Sequence, residues 1–298
     1  MSETSTIEWT DATWNPITGC TLVSEGGRHC YAAALAAGRL RNHPSRAGLA
    51  RINAAGEAKF TGEVRFNTQW LDQPFRWIRP RRIFVCAHGD LFHESVPDSW
   101  IDRVFQVMGG ARQHTFQVLT KRPERASAYL AGADPAQWIR FWSTRCAYTE
   151  GIPRLGVTPA PPTWPPENLW LGTSVEDQAT ADARVPHLLA APAAVRFLSA
   201  EPLLGPIDPP ELPCLDWVIV GGESGPGARP MHPDWARSLR DQCAAAGVSF
   251  LFKQWGAWLP ESQDPNGLWN WSDAEEIGAL HFWPDATASI HLRKKETD

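Results

Sequence analysis

No stretch of this sequence approaches the roughly 20 consecutive apolar residues that span a bilayer, and its start, Met1 to Trp9, is polar and acidic. Neither a membrane span nor a secretory leader is expected, and a cytoplasmic location is. Basic charge is not in excess either. With 28 Lys and Arg against 33 Asp and Glu, the net charge is -5, so the chain as a whole exerts no attraction on a phosphate backbone and nucleic acid would need a local patch. There is no internal repeat, no Walker phosphate loop and no GxGxxG fingerprint, which leaves solenoids and the common nucleotide-loop folds without support. Six cysteines (Cys20, Cys30, Cys86, Cys146, Cys214 and Cys243) are scattered through a chain too long to need staples. Free thiols in a reducing compartment are expected.

What is present is an ordinary globular balance of 43% apolar and 20% charged residues over 298 positions, enough to bury a large core as a single domain. Six short runs carry β-branched and aromatic residues: Arg82 to Ala87, Thr115 to Thr120, Leu169 to Val175, Val195 to Ala200, Trp217 to Gly221 and Ser249 to Phe252. Near-continuous apolar runs suit strands covered on both faces by helices, as in parallel sheets. Between them, Asp98 to Met108 places Trp100, Ile101, Val104, Phe105 and Met108 at helical spacing, and Pro233 to Ala246 opens with Pro-Asp and closes at Gly247, a start and a cap. Thr13 to Thr18 offers a first strand with Pro16 at its end. The fold expected is α/β, a parallel (β/α) barrel or partial barrel of six to seven βα units. Proline-rich Gly151 to Pro166 and Gly205 to Pro213 read as surface loops. Of the 16 tryptophans, Trp70, Trp77, Trp100 and Trp235 sit in amphipathic settings that suit a core or groove wall.

Chemistry-bearing residues follow the apolar runs: His88, Asp90, His93 and Glu94; Lys121 and Arg122; Ser174, Glu176 and Asp177; Glu201; Gly221, Gly222 and Glu223; Lys253 and Gln254. In parallel α/β folds the ligand site forms outside the carboxyl ends of the strands, so these groups should converge on one mouth. Gly221-Gly-Glu223 lets backbone amides approach a ligand while its carboxylate accepts from an amine or ribose hydroxyls, though a tight turn explains it equally well. His88, Asp90, His93 and Glu94 are also of the types a metal-dependent hydrolase uses, or a capped helix start. Arg39, Arg41, Arg46, Arg51, Lys59 and Arg65 form a basic stretch that reads as a solvated surface. Cys20 and Cys30, with His29 adjacent, are a modest metal hint; buried thiols are the alternative.

Read together, Ile7 to Pro16 (IEWTDATWNP), Gly19-Cys20 with Cys30-Tyr31, Leu71 to Pro74 (LDQP), Arg82 to Val85 (RIFV), Asp90 to Glu94 (DLFHE), Gln117 to Pro123 (QVLTKRP), Leu171 to Glu176 (LGTSVE), Ser199 to Leu203 (SAEPL), Val218 to Ser224 (VIVGGES) and Phe252 to Gly256 (FKQWG) closely resemble the phage Gp37/Gp68 family, a domain of unknown function. The resemblance runs from about residue 6 to residue 258, leaving 259–298 as an extension. That family is similar to radical S-adenosylmethionine enzymes in its partial barrel and in an N-terminal cysteine loop with thiols spaced by six and then two residues. The resemblance implies a [4Fe-4S] cluster at Cys20 and Cys30, an electron donor, and S-adenosylmethionine held by Ser174, Glu201, Gly221, Gly222 and Glu223. It also implies a substrate, a nucleotide or nucleic acid by the phage association, met by Asp90, Lys121, Arg122 and Lys253. Gly27 stands where the middle cysteine belongs, so His29, or Cys86, would have to replace it as a metal ligand. The other reading is a family member without a cluster that survives as a binding or regulatory module.

Overall fold

The computed structural model describes residues 5, 7–134, 136, 164–260 and 290–292. Seven strands make its main sheet: β1 (Ala12–Trp14), β2 (Arg82–Val85), β3 (Thr115–Thr120), β4 (Leu169–Val175), β5 (Val195–Ala200), β6 (Trp217–Gly221) and β7 (Ser249–Gln254). They lie side by side in chain order, and every adjacent pair is parallel. Around them run α1 (Tyr31–Ala37), α2 (Asp98–Gly110), α3 (Pro123–Gly132), α4 (Gln178–Ala190) and α5 (Pro233–Ala246). Strand order that never reverses is what successive crossovers of one hand produce, and the sheet curls into a half-barrel.

The first strand is shorter than the sequence suggests. Pro16 has no amide proton to give to a ladder, so β1 stops at Trp14 and Ile17–Thr18 turns to pair antiparallel with Arg65–Phe66. Helix starts fall where expected. Asp98 follows Pro97, and α5 ends on Gly247 with φ 70°. Asp177 caps α4 in a reciprocal box with Thr180.

Strand alternation sorts the core into two faces. Ile83, Val85, Phe116, Val118, Leu169, Leu171, Leu198, Val218 and Val220 pack with the helices. The opposite face carries Phe84, Phe197 and Ile219, packed with Trp9, Trp170 and Trp217. Trp9 lies within ring contact of Phe84, Phe197 and Trp217, and its carbonyl accepts from Gln117 Nε2 at 3.1 Å. Aromatic rings thus close the amino end of this inner face. Towards the carboxyl ends the same register brings Ser174, Ser199, Gly221 and Lys253, which places a polar floor at the mouth.

Trp77 is buried, while Trp100 and Trp235 pack half-buried against the core. No helix among the described residues is long and apolar enough to cross a membrane. The loop Gly151 to Pro166 up to residue 163, Cys146, residues 261–289 of the extension and its Arg293-Lys-Lys295 tail lie outside the described residues.

Candidate functional site

Three charged networks occupy the carboxyl ends of the strands. The first joins β2 and β3. Asp90 is buried and accepts from Phe92 N and Thr120 Oγ1 on one oxygen, and from Lys121 N and Arg122 Nη1 on the other. Arg122 also donates to Glu94 at 2.7 Å and to Thr21 Oγ1 at 2.6 Å. The second centres on Glu176, 1% exposed. It accepts from Lys121 Nζ at 2.6 Å, Ser24 Oγ at 2.7 Å and Arg184 Nη1 at 3.1 Å. Burial pushes this carboxyl upward, but Lys121, Arg184 and Ser24 outweigh it and hold the group below its ordinary range. Lys121 shifts downward for the mirror reason, burial prevailing over Glu176. The third spans β5, β6 and β7: Lys253 Nζ meets Glu201 Oε1 at 2.8 Å, and Glu223 accepts from the backbone and guanidinium of Arg229.

The cysteine loop crosses all of these networks. Gly19, whose φ is +95° and whose absent Cβ would stand 2.1 Å from Glu63 O, bridges to Gly89 beyond β2. From there Thr21 reaches Arg122, Ser24 reaches Glu176, the Glu25 carbonyl accepts from Arg229 at 2.8 Å, and His29 Nδ1 faces Glu223 at 3.0 Å. The Tyr31 hydroxyl returns to Ala87 O at 2.5 Å. Residues 20–31 therefore form a strap over the mouth, fastened at β2, β3, β4 and β6.

The sequence-predicted residues fall as follows. Asp90, Lys121, Arg122, Ser174, Glu201, Gly221, Gly222, Glu223 and Lys253 all stand at or just past strand carboxyl ends. Their close neighbours are mostly protein groups. The Ser174 carbonyl accepts from Arg184. A Cβ on Gly222 would meet Trp255 O at 1.9 Å and one on Gly221 would meet Glu201 Oε1 at 2.5 Å, so these glycines make room for the protein's own atoms. Cys20 donates to Thr21 O at 3.3 Å and accepts from Arg122 at 3.6 Å; burial, then Asp90, pushes its thiol up to about 12. Burial does the same to Cys86. His29 has Nδ1 on Glu223 at 3.0 Å and Nε2 4.0 Å from Glu57, which ties its ring towards the Glu223 side of the mouth. Among the described residues no group of three or more His, Cys, Asp or Glu is arranged to hold a metal ion. The strap itself carries two thiols, Cys20 and Cys30, with Gly27 at the place of a third. The hydrolase set is not assembled either: Asp90 is saturated, and His93 is buried between Thr21 Oγ1 and Ser95 N.

The family model described as "Protein of unknown function (DUF5131)" matches residues 4–296. The chain belongs to this family. No curated protein and no solved structure matches it significantly. For this DUF5131 chain, then, the side chains themselves carry the functional argument.

Arg184 and Arg229 escaped the sequence reading. Arg184 had left a signal, because it sits with Ala181, Val185 and Leu188 on the buried stripe of α4, where an arginine needs a buried carboxylate. Arg229, in a loop, had left none. The basic stretch also divides in a way composition hides. Arg65 donates to the Pro44 and Ala47 carbonyls and Lys59 to that of Arg28, which makes them ties within the fold. Arg39, Arg41 and Arg51 are exposed. Arg46 is buried, which corrects its assignment to a solvated surface.

Proposed function

We propose that the protein is a binding module that works without a cluster and takes a small zwitterionic ligand of the S-adenosylmethionine type at the open side of its mouth. The observation that carries this reading is the Lys253–Glu201 pair, 27% and 16% exposed. Asp90, Glu176 and Glu223 are each held by several donors, but among the described residues Glu201 has Lys253 and a 3.5 Å contact from Ser199 Oγ. A ligand ammonium on Glu201 with its carboxylate on Lys253 exchanges one half-hydrated pair for two shielded ones, and this amino-acid end brings no net charge of its own. Gly221 borders Glu201 directly, and Ser174, Gly222 and Glu223 supply the surrounding wall. A substrate group would approach from the side of Asp90, Lys121 and Arg122. Calorimetric titration with S-adenosylmethionine tests this. Glu201→Gln and Lys253→Met should each weaken binding about tenfold or more, the loss of one charge-assisted hydrogen bond, and equal affinity in all three proteins rejects the reading.

The radical reading has a direct test at position 27. A Cβ on Gly27 would have a single neighbour within 4 Å, Leu22 Cδ1 at 2.8 Å, and Leu22 is an exposed side chain that can swing aside. Gly27→Cys should therefore fold and complete the thiolate tripod with Cys20 and Cys30. On anaerobic reconstitution with iron and sulfide, the variant is expected to gain thiolate-to-iron absorbance and stoichiometric iron while the natural chain stays colourless. A natural chain that binds iron and loses it on Cys20→Ala would return the radical reading to first place.

A further inference from the structure

Arg46 is the one mouth arginine whose charge the described residues leave uncompensated. It is 4% exposed, yet no carboxylate among them lies within ion-pair distance. Its recorded bonds go from Nη1 to the carbonyl and hydroxyl of Ser45 and from Nε to His88 Nδ1 at 3.4 Å. Among the described residues no acceptor meets Nη2. Burial drags the guanidinium down to about 10, and a buried cation without a counter-ion is a cost that folding normally avoids. Arg122 and Arg184, by contrast, each have buried carboxylates. The surroundings add positive potential, since Arg65 acts on Arg46 and Arg39 on His88.

His88 completes the donor set. Its Nδ1 faces Arg46 Nε at 3.4 Å. Because Nδ1 accepts from Arg46, the ring proton sits on Nε2, where it is a second donor. His88 follows β2 at the rim. Against its ring, at 6.0 Å and 77°, stands Tyr31, whose hydroxyl is pinned to Ala87 O while the residue remains 54% exposed. A fixed aromatic surface beside a buried, unneutralised cation and a neutral imidazole donor fits an anion joined to a flat ring.

We propose that Arg46 and His88 form an anion site that takes the phosphate of a nucleoside monophosphate, with the base against Tyr31. The site stands independently of the Lys253–Glu201 reading. Calorimetry with adenosine 5'-monophosphate, inorganic phosphate and adenosine as probes tests it. The monophosphate should bind more tightly than phosphate, and adenosine should not bind measurably. His88→Ala and Arg46→Met should each weaken both anions about tenfold or more, and Tyr31→Leu should bring the monophosphate down to the affinity of phosphate. Arg46→Met should also hold or raise Tm without ligand, because it removes an uncompensated buried charge; a purely structural arginine would lower Tm and leave the phosphate response of His88→Ala intact. Adenosine binding as tightly as its monophosphate, or undiminished phosphate binding in His88→Ala, would overturn the proposal.

Discussion

Glu176→Gln should destabilise the protein by about 3–5 kcal/mol, the cost of breaking a buried ion pair from one side. Removing the charge leaves Lys121 and Arg184 facing each other in a region where Glu176 had been their shared counter-ion, and the acceptor of Ser24 becomes a neutral amide oxygen. The cysteine strap is then held more weakly at β4, so amide exchange in residues 20–31 should accelerate along with the global loss. The pH dependence has a definite sign. The native carboxyl lies below its ordinary 4.5, so its contribution is complete above that pH and is lost as pH falls through the native value. Glu223, held down by Arg229 and His29 despite its burial, loses stability in the same direction. Urea unfolding at neutral pH should therefore separate the natural chain from Glu176→Gln widely, and the gap should narrow as the pH falls below 4.5. A gap that stays constant in acid would mean that Glu176 acts through packing rather than charge.

Strands were legible because each is a short apolar run covered on both faces, and the helices because Asp98 and Pro233 mark their starts. Where the sequence misled, a backbone or pairing constraint had the last word. Pro16 cut the first strand short, and Ile17–Thr18 found a different partner in Arg65–Phe66. At the mouth, position was readable and occupancy was not. The rule that parallel strands present their carboxyl ends placed Asp90, Lys121, Glu201 and Glu223 together, but nothing in the sequence said that Arg229 would take Glu223 from six residues away or that Arg184 would reach Glu176 from a helix. Those partners matter functionally, because a carboxylate already surrounded by donors has little left to offer a ligand. Arg46 shows the converse. In a list of basic residues it is one among several, and only its burial without a carboxylate distinguishes it.

Gly222→Ala is expected to lower stability by about 1–3 kcal/mol or more even without any ligand, since overpacking against immovable atoms is costly. The obstacle is backbone. The new Cβ would fall 1.9 Å from Trp255 O and 2.6 Å from its carbonyl carbon, and unlike the tip of Leu22 beside Gly27 these atoms cannot rotate away. Gly256 mirrors the arrangement, its missing Cβ standing 2.1 Å from Glu223 O. The two glycines let the chain leaving β6 lie directly on the chain leaving β7, just where their register shifts past Val220 and where Gly222 N donates to Gln254 O. Forcing them apart displaces Glu223, and with it the ties to His29 and Arg229 that fasten the far side of the cysteine strap. If Gly-Gly-Glu instead serves only to let a ligand approach its amides, the alanine should leave Tm unchanged and remove binding of S-adenosylmethionine. Thermal unfolding without ligand separates the two roles, and a variant that melts with the natural chain would refute the structural one.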